Sequence, residues 1–122
     1  MAFKDNRAFI DALEKTGDVV RVKQEVDWDL EAGAIVRRLN EMRGPAPLFE
    51  KIKGYPDGFR IFGSPLATFR RLAVAFGLKP EAHLAELFKV YRERYEKPIK
   101  PKIVKDGPCR ENILQGDDAN LF

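Results

Sequence analysis

Apolar positions near the start of the chain recur at helical intervals, with Phe9, Ile10 and Leu13 on one face. Asp5 precedes them as an N-cap and Gly17 stands where a left-handed residue is wanted. The spacing therefore predicts a helix ending near Thr16. Asp18-Val19-Val20-Arg21-Val22-Lys23 moves toward alternation and reads as a strand with one buried face, since β-branched residues favour pleated packing. Ala32, Ile35, Val36 and Leu39 return to three- and four-residue spacing, with Glu31, Arg37, Arg38 and Glu41 opposite. That pattern predicts a second helix over 30–42, with Asp27 and Asp29 as cap candidates and Gly44-Pro45 as its stop. The stretches 47–52 and 59–62 are strand patterns around the turn cluster Gly54-Tyr55-Pro56-Asp57-Gly58, so a β-hairpin with a longer loop is expected.

Farther along, Thr68 caps a third helix whose stripe is Phe69, Leu72, Ala73 and Phe76, closed by Gly77. A fourth is expected to begin at Pro80, which suits a first helical turn because it lacks an N–H. Leu84, Leu87, Phe88, Tyr91 and Tyr95 form its apolar stripe, read as core. Glu86–Lys89 and Glu93–Lys97 are spaced as stabilising intrahelical pairs. Pro101 to Lys105 is short and strand-like, Gly107-Pro108 ends it, and residues 109–122 have no sustained period. Helices and strands mix without strict alternation, so the fold class is α+β: a mixed β-sheet packed with about four helices and an irregular C-terminal segment.

Composition narrows the function. The 122 residues are one domain's worth, 44% hydrophobic and 34% charged, which does not describe a disordered chain. Surface scaling gives a compact fold of this mass about 6,700 Å² of accessible surface against about 20,000 Å² unfolded. One cysteine excludes an internal disulfide and a four-cysteine zinc site, and one histidine excludes a multi-histidine metal centre. No apolar run approaches a membrane span and no signal-peptide core opens the chain, so a cytoplasmic protein is expected. The net charge of +3 is unevenly placed. Residues 1–88 hold 14 basic and 13 acidic side chains, 89–110 hold 8 and 3, and the last 12 hold three acids only.

Each candidate for chemistry has a plain structural reading beside it. His83 is the one imidazole, the side-chain type most used as a general acid or base, but it lies at the start of an amphipathic helix with no nucleophile nearby. Cys109, beside Arg110, is activated if that cation is close; otherwise it is a small apolar residue. Asp27 with Asp29, and Asp117 with Asp118, are carboxylate pairs with too few oxygens for a calcium loop, and helix capping explains the first. Lys89, Arg92, Arg94, Lys97, Lys100, Lys102 and Lys105 make a basic run interleaved with Tyr91 and Tyr95. Glu93 and Glu96 interrupt it, which favours a solvated helix end complementing the dipole over a nucleic-acid surface. There is no Walker motif and no GxGxxG cradle. The residues alone assign no catalytic, cofactor-binding or metal-binding position.

Two longer segments resemble a known family. Leu48-Phe49-Glu50-Lys51-Ile52-Lys53-Gly54-Tyr55-Pro56 is similar to the LFE-x-x-KGYP segment in the N-terminal domain of UbiD-type decarboxylases. Residues 106–118, from Asp106-Gly107-Pro108 to Gly116-Asp117-Asp118, resemble that family's DGP-x-x-EN-x-x-x-GD segment. The helix ending in Gly77-Leu78 and the opening from Phe9 to Glu31 are similar as well. The resemblance implies reversible non-oxidative decarboxylation of aromatic or α,β-unsaturated carboxylic acids. It implies prenylated FMN, a divalent metal (manganese) and a monovalent cation (potassium) as cofactors, all bound by a central flavin domain. The family's catalytic and metal-binding residues belong to that domain, so none is carried onto this chain. A C-terminal domain and homo-oligomerisation are implied for the parent.

On this reading residues 1–108 are the N-terminal domain and 109–122 a linker toward an absent flavin-binding domain. The isolated chain would be inactive and would help cap the substrate cleft. The competing expectation is a free-standing binding or regulatory subunit of the same fold, presenting residues 89–105 to an acidic partner. A nucleic-acid role ranks third.

Overall fold

The computed structural model describes residues 3–119. Helix α1 (Asn6–Lys15) leads into strand β1 (Val19–Val26), helix α2 (Glu31–Glu41) and strand β2 (Ala46–Ile52). Strand β3 (Ile61–Phe62), helix α3 (Phe69–Ala75) and helix α4 (Leu84–Tyr95) follow. Two single 3₁₀ turns, Pro108–Arg110 and Gly116–Asp118, come last. The sheet has order β1-β2-β3, parallel between β1 and β2 and antiparallel between β2 and β3. Parallel neighbours need a crossover, and α2 supplies it. The fold is α+β with a mixed sheet and four α-helices, as the sequence predicts.

The caps at two helices are the expected ones. Asp5 accepts from the Ala8 N–H at 2.8 Å, and Gly17 takes φ +74° beyond α1. Thr68 accepts from the Arg71 N–H at 3.2 Å to open α3. Strand β2 is buried on both faces, as a central strand covered on each side should be. Val26, Ala32, Phe49 and Ile52 form a core cluster, with Val22, Ile35, Val36 and Ile61 against it under α2. Leu13, Leu48 and Ala73 are buried as well, and α1 packs on β1 and α3.

The hairpin forms, pairing Leu48 with Phe62 and Phe49 with Ile61, but β3 is shorter than expected and starts at Ile61. Pro47 gives a reason at the far end: its carbonyl accepts from Gly63 at 2.9 Å, yet it has no N–H to return the bond. Gly63 is required there by space. A Cβ would meet Val36 Cγ2 at 2.4 Å and the Pro47 ring at 3.1 Å.

Other expectations are corrected. Asp27 and Asp29 do not cap α2 through their side chains; Leu30, at φ 63°, is the N-cap and makes no side-chain bond. The Asp27 carboxylate instead accepts from the Asp29 N–H at 3.0 Å and from Lys53 at 2.6 Å. Helix α4 begins at Leu84, four residues after Pro80, because Lys79–Ala82 closes a separate turn and His83 is extended. The pair along α4 is Arg92–Glu96 at 2.9 Å rather than Glu86–Lys89 or Glu93–Lys97. Residues 101–105 join no strand ladder. Pro98 and Pro101 withhold two N–H groups, and Ile103 is 95% exposed. Most consequential is the stripe on α4. Only Leu87 is buried, while Leu84, Phe88, Tyr91 and Tyr95 are exposed. The accessible surface is 10432 Å², well above the compact expectation, because that face and the segment after α4 stay open.

Candidate functional site

The residues singled out for chemistry are scattered. His83 is the exposed N-cap of α4; its carbonyl accepts from Glu86 and Leu87, and its ring caps nothing. Cys109 is exposed, on a 3₁₀ turn none of whose residues is buried. Asp117 and Asp118 share the second 3₁₀ turn and are exposed. Among the described residues no three His, Cys, Asp or Glu side chains converge as metal ligands. A single exposed imidazole and a lysine-bound Asp27 do not fit a divalent metal, and the glycines at 54 and 58 serve the hairpin turn with φ +79° and +102°.

The basic run is exposed from Arg92 to Lys105. Arg94 is the exception in role: it donates to the Phe76 carbonyl at 2.8 Å and its guanidinium lies 5.3 Å from the Phe76 ring centre. It ties the end of α4 to the end of α3, a structural duty. Tyr91 meets Phe76 edge-on at 6.4 Å and stacks with Tyr95 at 6.1 Å. These rings cluster on the surface, so the expectation that they fill the core is overturned. Contiguous exposed aromatic area of this kind is uncommon on the surface of an isolated domain.

A second apolar face surrounds the hairpin turn. Trp28, Tyr55 and Phe59 are each more than half exposed and line a shallow cleft with Arg60 and Ile61. Tyr55 and Phe59 stand 5.6 Å apart between ring centres. Beside them Lys53 reaches back to Asp27, and that ion pair holds the Asp27 carboxyl below its ordinary range while raising the Lys53 ammonium. Sequence reasoning read this segment as a turn and missed its aromatic surface. The clue lies in two large rings, Tyr55 and Phe59, at a Gly-rich turn.

The densest polar cluster joins α1, α3 and the turn before α4. Arg70 Nε donates to both oxygens of Asp18 at 2.9 and 3.1 Å, while its Nη1 reaches Glu81 at 2.7 Å and its Nη2 the Thr16 carbonyl at 3.0 Å. Thr16 donates its hydroxyl to Asp18 at 2.6 Å. Glu81 and Asp18 raise the Arg70 guanidinium, and Arg70 lowers the Glu81 carboxyl. Every group here is used to fasten elements together.

Comparison with known proteins agrees with this division between a complete core and open surfaces. A family model described as 3-octaprenyl-4-hydroxybenzoate carboxy-lyase N-terminal domain matches residues 10–91. The chain is 38% identical to pyrrole-2-carboxylic acid decarboxylase of Pseudomonas aeruginosa, covering 96% of itself and 25% of that protein. It is 34% identical to a phenolic acid decarboxylase of Streptomyces sp. (strain D7), covering all of itself and 26% of the relative. The closed form of Sedimentibacter hydroxybenzoicus vanillic acid decarboxylase superposes with a TM-score of 0.79 at 32% identity, over 100% of this chain and 26% of that one. Its open form gives 0.77 at 30%. The chain thus spans about a quarter of the length of the relatives it matches. With the match covering most of its length and the fold agreeing throughout, the chain belongs to the N-terminal domain family of the UbiD-type carboxy-lyases.

Proposed function

We propose that this chain is the non-catalytic N-terminal module of a carboxy-lyase that adds or removes CO₂ on an aromatic or α,β-unsaturated acid. The observation that carries the reading is the exposed stripe of α4. Leu84, Phe88, Tyr91 and Tyr95 repeat at core spacing but face outward, and the burial they lack is supplied by a neighbouring domain. The names of the relatives, decarboxylases of pyrrole-2-carboxylic, phenolic and vanillic acids, support the substrate class. In this reading the prenylated flavin, manganese and potassium sit in the remainder of a longer, homo-oligomeric cytoplasmic enzyme. This module packs against the flavin domain and helps cap its cleft, with residues 109–122 as the linker.

A chimera tests it. This chain would replace the corresponding quarter of the Pseudomonas decarboxylase, and CO₂ release from pyrrole-2-carboxylate would be measured. We expect activity within about tenfold of the parent. Phe88→Glu together with Tyr91→Glu is expected to abolish it in the chimera while leaving the isolated chain folded. A double variant as active as the chimera would overturn the packing role. Flavin absorbance or CO₂ release by the isolated chain would overturn its inactivity and favour a free-standing protein.

A further inference from the structure

Arg71 is the largest fully buried side chain in the described protein, 1% exposed. It lines a cleft of about 510 Å³ with Asp18, Arg43, Leu66, Thr68 and Phe69 among its walls. Its Nη1 donates to the Gly44 carbonyl at 2.8 Å, and its Nε and Nη2 have no partner among the described residues. The carboxylate nearest in charge, Asp18, is already held by Arg70 and by the Thr16 hydroxyl. Arg43 forms no ion pair among the described residues, and both carboxylates of the cluster, Asp18 and Glu81, are bound to Arg70. Three arginines, Arg43, Arg70 and Arg71, therefore line the cleft with one carboxylate, Asp18. A buried guanidinium without a counter-ion is costly, and burial pushes that of Arg71 down from its ordinary range.

We propose that this cleft binds a small acid, a carboxylate on a short apolar body, with the carboxylate on Nε and Nη2 of Arg71 and Arg43 at the mouth. The Nε–Nη2 edge is the fork that matches two carboxylate oxygens, and Nη1 keeps its bond to Gly44. The other walls, Leu66, Ala67, Phe69 and Leu72, are apolar and suit an acid's hydrocarbon end. The two nitrogens are closed off from solvent, so a wall must yield on binding. Leu66 and Phe69, 51% and 64% exposed, have the room to do so.

The test is an NMR titration of the protein with butyrate, followed at backbone amides and arginine Nε–H groups, against chloride at matched ionic strength. Saturable shifts confined to residues 43–44 and 66–72 are expected, with Kd on the order of 1–10 mM. Arg71→Lys is expected to weaken binding about tenfold or more by losing the fork. Arg43→Gly suits the φ of 53° at that position, leaves the fold intact and is expected to weaken binding about threefold. Should Arg71→Lys fail to fold, Arg43→Gly decides. Shifts no larger than those with chloride, or unchanged affinity in Arg43→Gly, would overturn the proposal. Tighter binding of inorganic phosphate than of butyrate would overturn the apolar-body assignment.

Discussion

At the scale of single residues, the ion pairs that cross between elements make the fold sensitive to acid. Arg21 on β1 joins Glu14 of α1 to Glu50 of β2, and its hydrogen bond holds the Glu14 carboxyl below its ordinary value of 4.5. Lys53 does the same for Asp27, with the Asp29 N–H helping, and Arg70 for Glu81. A carboxyl whose folded pKa lies below its unfolded one adds stability that is complete above the unfolded value. That stability drains away as pH falls through the folded pKa. The melting temperature is therefore expected to fall steadily as pH drops from about 5 to about 2.5. In the triple variant Glu14→Gln, Asp27→Asn, Glu81→Gln the midpoint at pH 7 is lower and its acid slope flatter. An acid slope unchanged by the triple substitution would show that these pairs carry no linkage.

At the scale of elements, two contrasts separate burial from pattern. On α4, Leu87→Ala is expected to cost about 2–5 kcal/mol in denaturant unfolding, because that side chain is 3% exposed. Its neighbour Phe88→Gln is expected to change stability by less than about 0.5 kcal/mol, since the ring is 63% exposed. Equal costs would mean that the stripe is folded onto the chain's own core. At the end of β3, Gly63→Ala is expected to cost about 1–3 kcal/mol by overpacking against Val36 and Pro47, read by the same unfolding curve. The sequence pattern located α1, α3, the central strand and the hairpin because spacing, caps and turn residues agree there, and α2 by its spacing alone. It could not tell which apolar stripe faces inward, since Leu84, Phe88 and Tyr91 have the same period whether a sheet or another domain covers them. Nor could it see the cleft at Arg71, which depends on Asp18, Gly44 and Arg70 meeting from separate elements. It placed α2's cap on aspartates whose carboxylates bond elsewhere, and it made a strand of residues 101–105 with no edge for them to join.

At the scale of the whole molecule, the sheet and its covering helices make a small finished core, while α4's outer face, the hairpin aromatics and the segment after Tyr95 remain uncovered. An accessible surface of 10432 Å² for a chain of 14.0 kDa exceeds the compact value of about 6,700 Å² by more than half. Its relatives are about four times as long, in keeping with surfaces built to be shared. Strand β1 meets a different demand, because among the described residues it pairs with β2 alone and so forms one edge of the sheet. That strand carries the charged residues Arg21, Lys23 and Glu25, and its register is broken between Val22 and Glu25. Charges and a bulge make a poor template for an incoming strand from another copy. The molecule therefore separates its two kinds of exposure: aromatic faces left open, and a backbone edge defended against fibrous self-association.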